Sequence, residues 1–103
     1  MNGIERIAAE RQRQIEVEGW SISRDLELYP DSELAFAAAC YAVPRGWVRG
    51  QLFPLAWPWG DEWWKPVPDN RIRELEKAGA LIAAEIDRLQ ASSRDAKEAR
   101  EGL

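Results

Sequence analysis

The sequence predicts an all-α protein, and three observations support this prediction. Three stretches, at about residues 3–18, 31–43 and 69–91, carry helical start signals, helical periodicity or an unbroken apolar run. Between the last two lies a tryptophan- and proline-rich segment, residues 44–68, whose prolines disfavour both a continuous helix and a central strand. This segment is too apolar for a disordered linker, so we expect an ordered, irregular loop with one short helical turn at residues 61–64.

The first predicted helix, residues 3–18, carries a thin apolar stripe that includes Ile4, Ile7 and Ile15. Because the stripe is thin, we expect this helix to lie on the surface of a neighbour. Gly19 is expected to end it. A polar connection is expected to follow at residues 21–30.

The second predicted helix, residues 31–43, follows a start signal in which Asp31 or Ser32 serves as the cap. From Leu34 onward it is apolar on all sides, which is typical of a central, buried helix. Cys40 lies within this run and is expected to be a small buried residue.

The third predicted helix, residues 69–91, starts at Asp69 or Asn70 and has one continuous apolar face over about five turns. That face consists of Ile72, Leu75, Gly79, Ile82, Ile86 and Leu89. Since a glycine lowers helix propensity, Gly79 predicts the close approach of another helix or ring.

Composition excludes several classes of site. The 103 residues include no histidine and one cysteine, which excludes histidine-based triads, histidine-ligated metals and internal disulfides. The net charge of −4 argues against nucleic-acid binding, and no apolar run is long enough for a membrane span. We therefore expect a cytoplasmic protein with one helical domain at residues 1–92 and a charged helix extension or frayed tail at residues 93–103.

The tryptophan-rich segment has two interpretations. Its rings are either the bulk of a small core or a surface that stacks on a planar ligand, with nearby cations available for phosphate. The candidate ligand-binding residues are Trp20, Trp59, Trp63, Trp64, Lys65 and Arg71. So many aromatic side chains also predict a homo-oligomer that covers part of them.

Carboxylates offer a second candidate site. Asp25, Glu33 and Glu85 could hold Mg²⁺, which requires only oxygen ligands. The alternatives are a solvated acidic rim and, for Glu33, a structural ion pair. The paired E-x-x-E and E-x-x-D motifs of MazG-type pyrophosphohydrolases are absent, because Phe36 and Arg88 stand three residues after Glu33 and Glu85.

Taken together, several motifs resemble a family of small, mostly uncharacterised proteins of tailed bacteriophages and prophages, loosely described as MazG-like. The motifs include ERQRQ at residues 10–14, EGW at 18–20, ELA at 33–35, CYA at 40–42, WPW at 57–59, WWKP at 63–66 and KAGALI at 77–82. Relatives of this kind tend to have a further acidic residue and a histidine after the tryptophan that corresponds to Trp20. Here no histidine follows, so the resemblance implies binding rather than turnover.

These observations lead to one expected function and two alternatives. We expect a phage accessory protein that binds a nucleotide or nucleotide-derived signal in the bacterial cytoplasm, without a cofactor. The first alternative is Mg²⁺-dependent nucleotide pyrophosphate hydrolysis. The second is inhibition of a host defence protein through the acidic surface.

Overall fold

The computed structural model describes residues 1–47 and 52–102, and all regular structure in these residues is helical, which confirms the all-α prediction. The long helices occupy the three predicted stretches, and shorter helical turns interrupt the tryptophan-rich segment. In chain order the helices are α1 (Gly3–Glu16), α2 (Ile22–Leu28), α3 (Glu33–Ala42), α4 (Arg45–Trp47), α5 (Phe53–Ala56) and α6 (Arg71–Glu101), with a 3₁₀ turn at Asp61–Trp63 between the last two.

Helix α1 has well-formed ends. The Asn2 side chain accepts a hydrogen bond from the backbone N–H of Glu5, whose carboxylate accepts one in return from the backbone N–H of Asn2, both at 2.9 Å. At the other end Gly19 adopts a positive φ of 74°, which lets the N–H of Trp20 reach back to the carbonyl of Gln14 at 3.0 Å. Gly19 therefore ends this helix, as predicted.

The expectation of a polar connection at residues 21–30 is wrong, because α2 forms there. The side chain of Ser21 accepts a hydrogen bond from the N–H of Arg24 and so caps this helix. Helix α2 packs against α6 and carries the buried Asp25 into the interior. A short helix with mostly polar residues has no hydrophobic period, so the pattern did not reveal it.

The core lies between α3 and α6 and is made mainly of alanine. Small side chains on both helices allow their backbones to approach closely, and larger rings pack around the edges. The buried cluster contains Leu34, Ala37, Ala38, Tyr41, Ala78, Leu81 and Ala84. The second predicted helix does lie at the core, and Cys40 is 1% exposed within it, but the helix is not buried on all sides, because Phe36 is 51% exposed.

The predicted apolar face of α6 does not face this core. Its aliphatic side chains are 43–55% exposed, whereas the buried side of the helix carries alanines, Leu81 and paired charges. Alanine contributes little to a hydrophobic pattern, so the larger side chains dominated the sequence signal. Close approach at Gly79 is confirmed, because a Cβ there would lie 2.5 Å from Cδ1 of Ile7 on α1.

Helix α6 continues past residue 91 to Glu101, so residues 93–101 form the helix extension and not the frayed tail. Asn70 caps its start by accepting a hydrogen bond from the N–H of Arg73 at 3.1 Å. The side chains of residues 92–102 are exposed. Among the described helices, none combines the length and apolar character needed to span a membrane.

Candidate ligand-binding site

The tryptophan-rich segment folds into short turns that direct most of its rings inward. Pro54 occupies the first turn of α5, where its missing N–H is tolerated, and Trp57 follows at the end of that helix. The Trp57 ring lies 5.0–5.9 Å, between ring centroids, from four other rings. We call this group the aromatic cluster: Tyr41, Phe53, Trp57, Trp59 and Trp64.

Trp63 differs from the aromatic cluster. It lies at the 3₁₀ turn with 63% of its surface exposed, and within the described residues no other ring stacks on it. Together with Trp20 it borders a cavity of about 410 Å³ between α1, α2, α6 and the loop. We call this the central cavity. Its lining consists of Glu10, Arg13, Gln14, Glu18, Trp20, Arg24, Tyr41, Trp63, Lys65, Lys77 and Leu81.

The α1 side of the central cavity is held by a buried carboxylate. The Glu10 side chain is 1% exposed and receives Arg13 Nε and Arg73 on the same oxygen at 2.7 Å each. Its other oxygen accepts from a second nitrogen of Arg13 at 2.9 Å and from Gln14 at 3.2 Å. Burial acts to raise the pKa of Glu10, but hydrogen bonds and charge from the two arginines outweigh it and lower the pKa to about 2.

Lys77 forms part of the opposite wall. Its Nζ donates to the backbone carbonyl of Lys65 at 2.9 Å and lies 5.6 Å from the centroid of the Tyr41 ring. Burial and the nearby charge of Arg73 lower the pKa of Lys77, while the charge of Glu10 acts in the other direction. The Tyr41 hydroxyl accepts from the backbone N–H of Lys65 at 3.0 Å, so the loop is anchored to the core at this residue.

A second, smaller cavity of about 310 Å³ adjoins the first. Both are lined by Trp20, Arg24 and Trp63, which separate them, and the second also contacts Tyr29, Trp59 and Gly60. Nε1 of Trp59 is buried without a hydrogen-bond partner among the described residues. Arg24 donates to the Tyr29 hydroxyl at 3.3 Å and lies over its ring.

The structure brings some of the predicted ligand-binding residues together and separates others. Trp20, Trp63 and Lys65 line the central cavity. Trp59 lines only the second cavity, and Trp64 belongs to the aromatic cluster, where its ring centroid lies 4.6 Å from that of Tyr41. The core interpretation therefore holds for the rings of the aromatic cluster, and the ligand-stacking interpretation stays a prediction for Trp20 and Trp63.

Arg71 lies outside both cavities. Its guanidinium donates to the backbone carbonyls of Tyr41, at 3.0 Å, and of Ala42. These are the last carbonyls of α3, which have no partner within that helix. Arg71 thus caps α3 and links it to the start of α6.

The three predicted metal-binding carboxylates do not share a site. Glu85 pairs with Arg88 at 2.6 Å, and Glu33 accepts a hydrogen bond from the backbone N–H of Asp31 at 3.0 Å. Asp25 is 1% exposed, and burial raises its pKa to about 6, although the charges of nearby arginines offset part of this effect. In the described residues no three acidic or cysteine side chains are grouped so that they could hold a metal ion.

Sequence reasoning missed three cations of the central cavity. Arg24 was missed because α2 was not predicted, and Lys77 because the aliphatic side chains dominate the pattern of the third helix. Arg13 was missed because it lies off the apolar stripe of the first predicted helix. One sequence signal could have indicated a basic surface on this side of α6. Arg73 and Lys77 are four residues apart, so they lie one turn apart on the side of the helix that carries fewer aliphatic residues.

The comparisons with known proteins identify no relative. No protein-family model, curated protein or solved structure matches this chain.

Proposed function

We propose that the central cavity binds a nucleotide or a nucleotide-derived signal and holds it without chemical change. The observation that carries this proposal is the convergence of an exposed tryptophan ring with several cations around one cavity of about 410 Å³. Cavities of roughly 300–1,000 Å³ are typical of small-molecule sites. Because the sequence resembles phage proteins, we propose that this binding takes place in the cytoplasm of a bacterial host.

Trp63 is the proposed stacking surface for the base. Its ring is 63% exposed at the mouth of the cavity, and Trp20 lines the same space. A flat indole face binds any nucleobase, because stacking and dispersion do not depend on a particular hydrogen-bond pattern. The 3₁₀ turn and the hydrogen bond from the Lys65 N–H to the Tyr41 hydroxyl hold the backbone on both sides of this ring, so little backbone order has to be gained on binding.

The charge of the cavity lining favours a single phosphate group. Four cations, Arg13, Arg24, Lys65 and Lys77, face two carboxylates, Glu10 and Glu18, which leaves a formal charge of +2. A phosphate monoester carries about −1.5 to −2 at neutral pH. Because Arg13 already pairs with both carboxylates, the remaining cations are the ones available to the ligand.

Lys65 is the strongest candidate among these cations for contact with phosphate. Its side chain makes no ion pair within the described residues, while Lys77 and Arg24 already donate to neighbouring groups. An unpaired ammonium group at a cavity wall gains a charge-assisted hydrogen bond when an anion enters.

Binding is tested by calorimetric titration of the purified chain with nucleoside monophosphates and the matching nucleosides. We expect Trp63→Ala to weaken binding of both about 10- to 100-fold, which corresponds to the usual loss of a stacked base. Trp47→Ala is the matched control, since Trp47 is 62% exposed in the same segment but lines neither cavity. Equal effects of the two substitutions would contradict the proposal, as would failure of every nucleotide to bind.

Lys65→Ala tests the phosphate contact separately. We expect it to weaken binding of the monophosphate about tenfold and to leave binding of the nucleoside unchanged. Lys97→Ala, on the exposed end of α6, is the control and should change neither affinity.

The two alternatives give different results in the same experiment. Incubation with nucleotides and Mg²⁺ followed by chromatography would show hydrolysis products if the protein were a pyrophosphohydrolase, whereas our proposal requires intact ligand. Salt-sensitive association with a host protein, together with no nucleotide binding, would favour the inhibitor alternative.

A further inference from the structure

Helix α6 presents an aliphatic stripe to solvent. The five side chains are 43–55% exposed, although Ile and Leu are normally found in protein interiors. Within residues 1–47 and 52–102, α1 flanks Ile72 and Leu75 across a groove, and no element closes over the five side chains. We call this the α6 stripe: Ile72, Leu75, Ile82, Ile86 and Leu89.

The spacing of the α6 stripe is that of a coiled-coil seam. If Gly79 is counted, successive positions are separated by three, four, three, four and three residues, which places them at the a and d positions of a heptad repeat. The side chain missing at Gly79 is replaced from α1, because Ile7 lies where a Cβ would be. The stripe is therefore continuous over about 26 Å of helix.

We propose that the α6 stripe is the interface of a homodimer, in which α6 of a second copy packs antiparallel against it. The spacings are the same in both directions along the helix. A two-fold axis near residues 80 and 81 therefore pairs each a position of one copy with a d position of the other. Ile72 then faces Leu89 of the second copy, Leu75 faces Ile86, and Gly79 faces Ile82. A parallel pairing would instead set identical positions opposite each other, so that Ile7 of both copies would crowd together at the level of Gly79.

The exposed aliphatic surface supplies the apolar centre of a small symmetric interface, and polar side chains at its rim have to supply the rest of the area. The α6 stripe, together with Ile4, which is 81% exposed on the adjoining part of α1, offers on the order of 500 Å² per chain, and a standard interface needs about 800 Å² per partner including its polar rim. A groove of about 320 Å³ between α1 and α6, lined by Ile7, Ile72 and Leu75 among others, lies where Leu89 of the second copy would insert.

Charges beside the α6 stripe do not oppose this pairing. Glu76 already pairs with Arg6 and Arg73, and Glu85 pairs with Arg88. Ala83 flanks the middle of the seam and is small enough for close approach. The interface therefore brings together aliphatic side chains with little uncompensated like charge.

The first test is the mass of the full chain in solution, measured by light scattering or sedimentation at several concentrations. We expect twice the chain mass of 11.8 kDa. Ile82→Lys and Ile86→Lys, made separately, should each return the mass to that of one chain, because a buried lysine in a narrow seam is strongly unfavourable. Both side chains are half exposed in one chain, so circular dichroism should show unchanged helix content.

Leu55→Lys is the matched control. Leu55 is 88% exposed on α5, which contacts α3 and not α6, so this variant should remain dimeric. A chain that is monomeric at every concentration would overturn the proposal. A dimer that survives both α6 substitutions, or that is lost in the control as well, would also overturn it.

Orientation is tested with the double variant Leu75→Cys and Ile86→Cys under mild oxidation. An antiparallel pair gives disulfides between position 75 of one copy and position 86 of the other, which peptide mapping identifies. Disulfides between identical positions would show a parallel pair and contradict the proposed axis. Cys40 is 1% exposed and does not compete. Since the α6 stripe lies away from the central cavity lining, the result does not depend on whether a nucleotide binds.

Discussion

Glu10 on α1 and Asp25 on α2 are both buried carboxylates that face α6, yet their surroundings differ. Glu10 receives four hydrogen bonds from Arg13, Gln14 and Arg73. Neither oxygen of Asp25 has a hydrogen-bond partner within the described part of the chain. Burial raises the pKa of Asp25 to about 6, whereas the arginines at Glu10 overcome burial and lower its pKa to about 2.

The difference shows that burial alone does not determine whether a carboxylate stabilises a fold. Nearby positive charge is present at both sites, since Arg11, Arg24 and Arg88 act on Asp25. What Asp25 lacks is direct donation to its oxygens, and charge at a distance compensates desolvation only in part. We therefore expect Glu10 to stabilise the fold at neutral pH and Asp25 to destabilise it.

The largest expected effect is that of Glu10→Gln, which removes the charge and keeps the shape. Since the pKa of Glu10 is lowered from 4.5 to about 2, the ionised group should contribute about 3 kcal/mol to the free energy of unfolding at pH 7. Urea denaturation should show a loss of that size. Glu16→Gln on the exposed side of α1 is the control and should stay within about 0.5 kcal/mol. Equal losses in the two variants would refute this account of Glu10.

The same isosteric substitution at Asp25 should have the opposite sign. We expect Asp25→Asn to increase the free energy of unfolding at pH 8 by about 2 kcal/mol, since it removes an ionised group whose pKa is raised. The full shift corresponds to about 3 kcal/mol, but an asparagine amide in this place also lacks partners. Urea denaturation at pH 8 is the measurement, and a loss of stability would show that Asp25 has partners we have not identified.

The pH dependence of stability should separate the two sites further. Because the pKa of Asp25 is higher in the folded than in the unfolded chain, its unfavourable contribution decreases as the pH falls through 6. Lowering the pH from 7 to 5 should therefore add about 1 kcal/mol to the free energy of unfolding of the wild-type chain and much less to that of Asp25→Asn. Glu10 acts lower, and its contribution is lost as the pH falls from 4.5 towards 2. Parallel pH profiles of the two chains would disprove the assignment to Asp25.

The smallest expected effect is that of Glu18→Gln. Glu18 pairs with Arg13 at 3.2 Å, as Glu10 does, but its side chain is 36% exposed. Water weakens such a pair, so we expect a change of at most about 0.5 kcal/mol in the free energy of unfolding. A loss comparable to that of Glu10→Gln would show that pairing with Arg13, and not burial of the carboxylate, determines how much such an ion pair stabilises the fold.

Much of the fold could be predicted because local signals were strong. The Asn70 cap, Gly19 and the apolar run of α3 each mark a helix or its end by chemistry that acts within a few residues. The orientation of α6 could not be predicted in this way. Its core face is built from Ala78 and Ala84, which carry little hydrophobic signal. The periodicity of a helix can show that it has an apolar face, but it does not show which element packs against that face.

The candidate site was predictable only where a single segment supplied it. Trp63 and Lys65 are two residues apart and line the same cavity. Arg24 and Lys77 reach that cavity from α2 and α6. Their place in its lining depends on how these helices pack together, which local sequence patterns do not predict. The homo-oligomer expected from the aromatic rings remains a prediction, and the surface that now supports it is aliphatic.

The aromatic cluster gives this protein a spectroscopic signature. Trp57 lies 5.3 Å from Trp59 and 5.0 Å from Trp64, at interplanar angles of 84° and 70°. Indoles at such short range couple their electronic transitions, so we expect a paired positive and negative band in circular dichroism that is distinct from the helix signal. Loop packing and helix content can therefore be followed separately in one spectrum, and the exposed Trp47 and Trp63 are left as the more solvent-sensitive fluorophores.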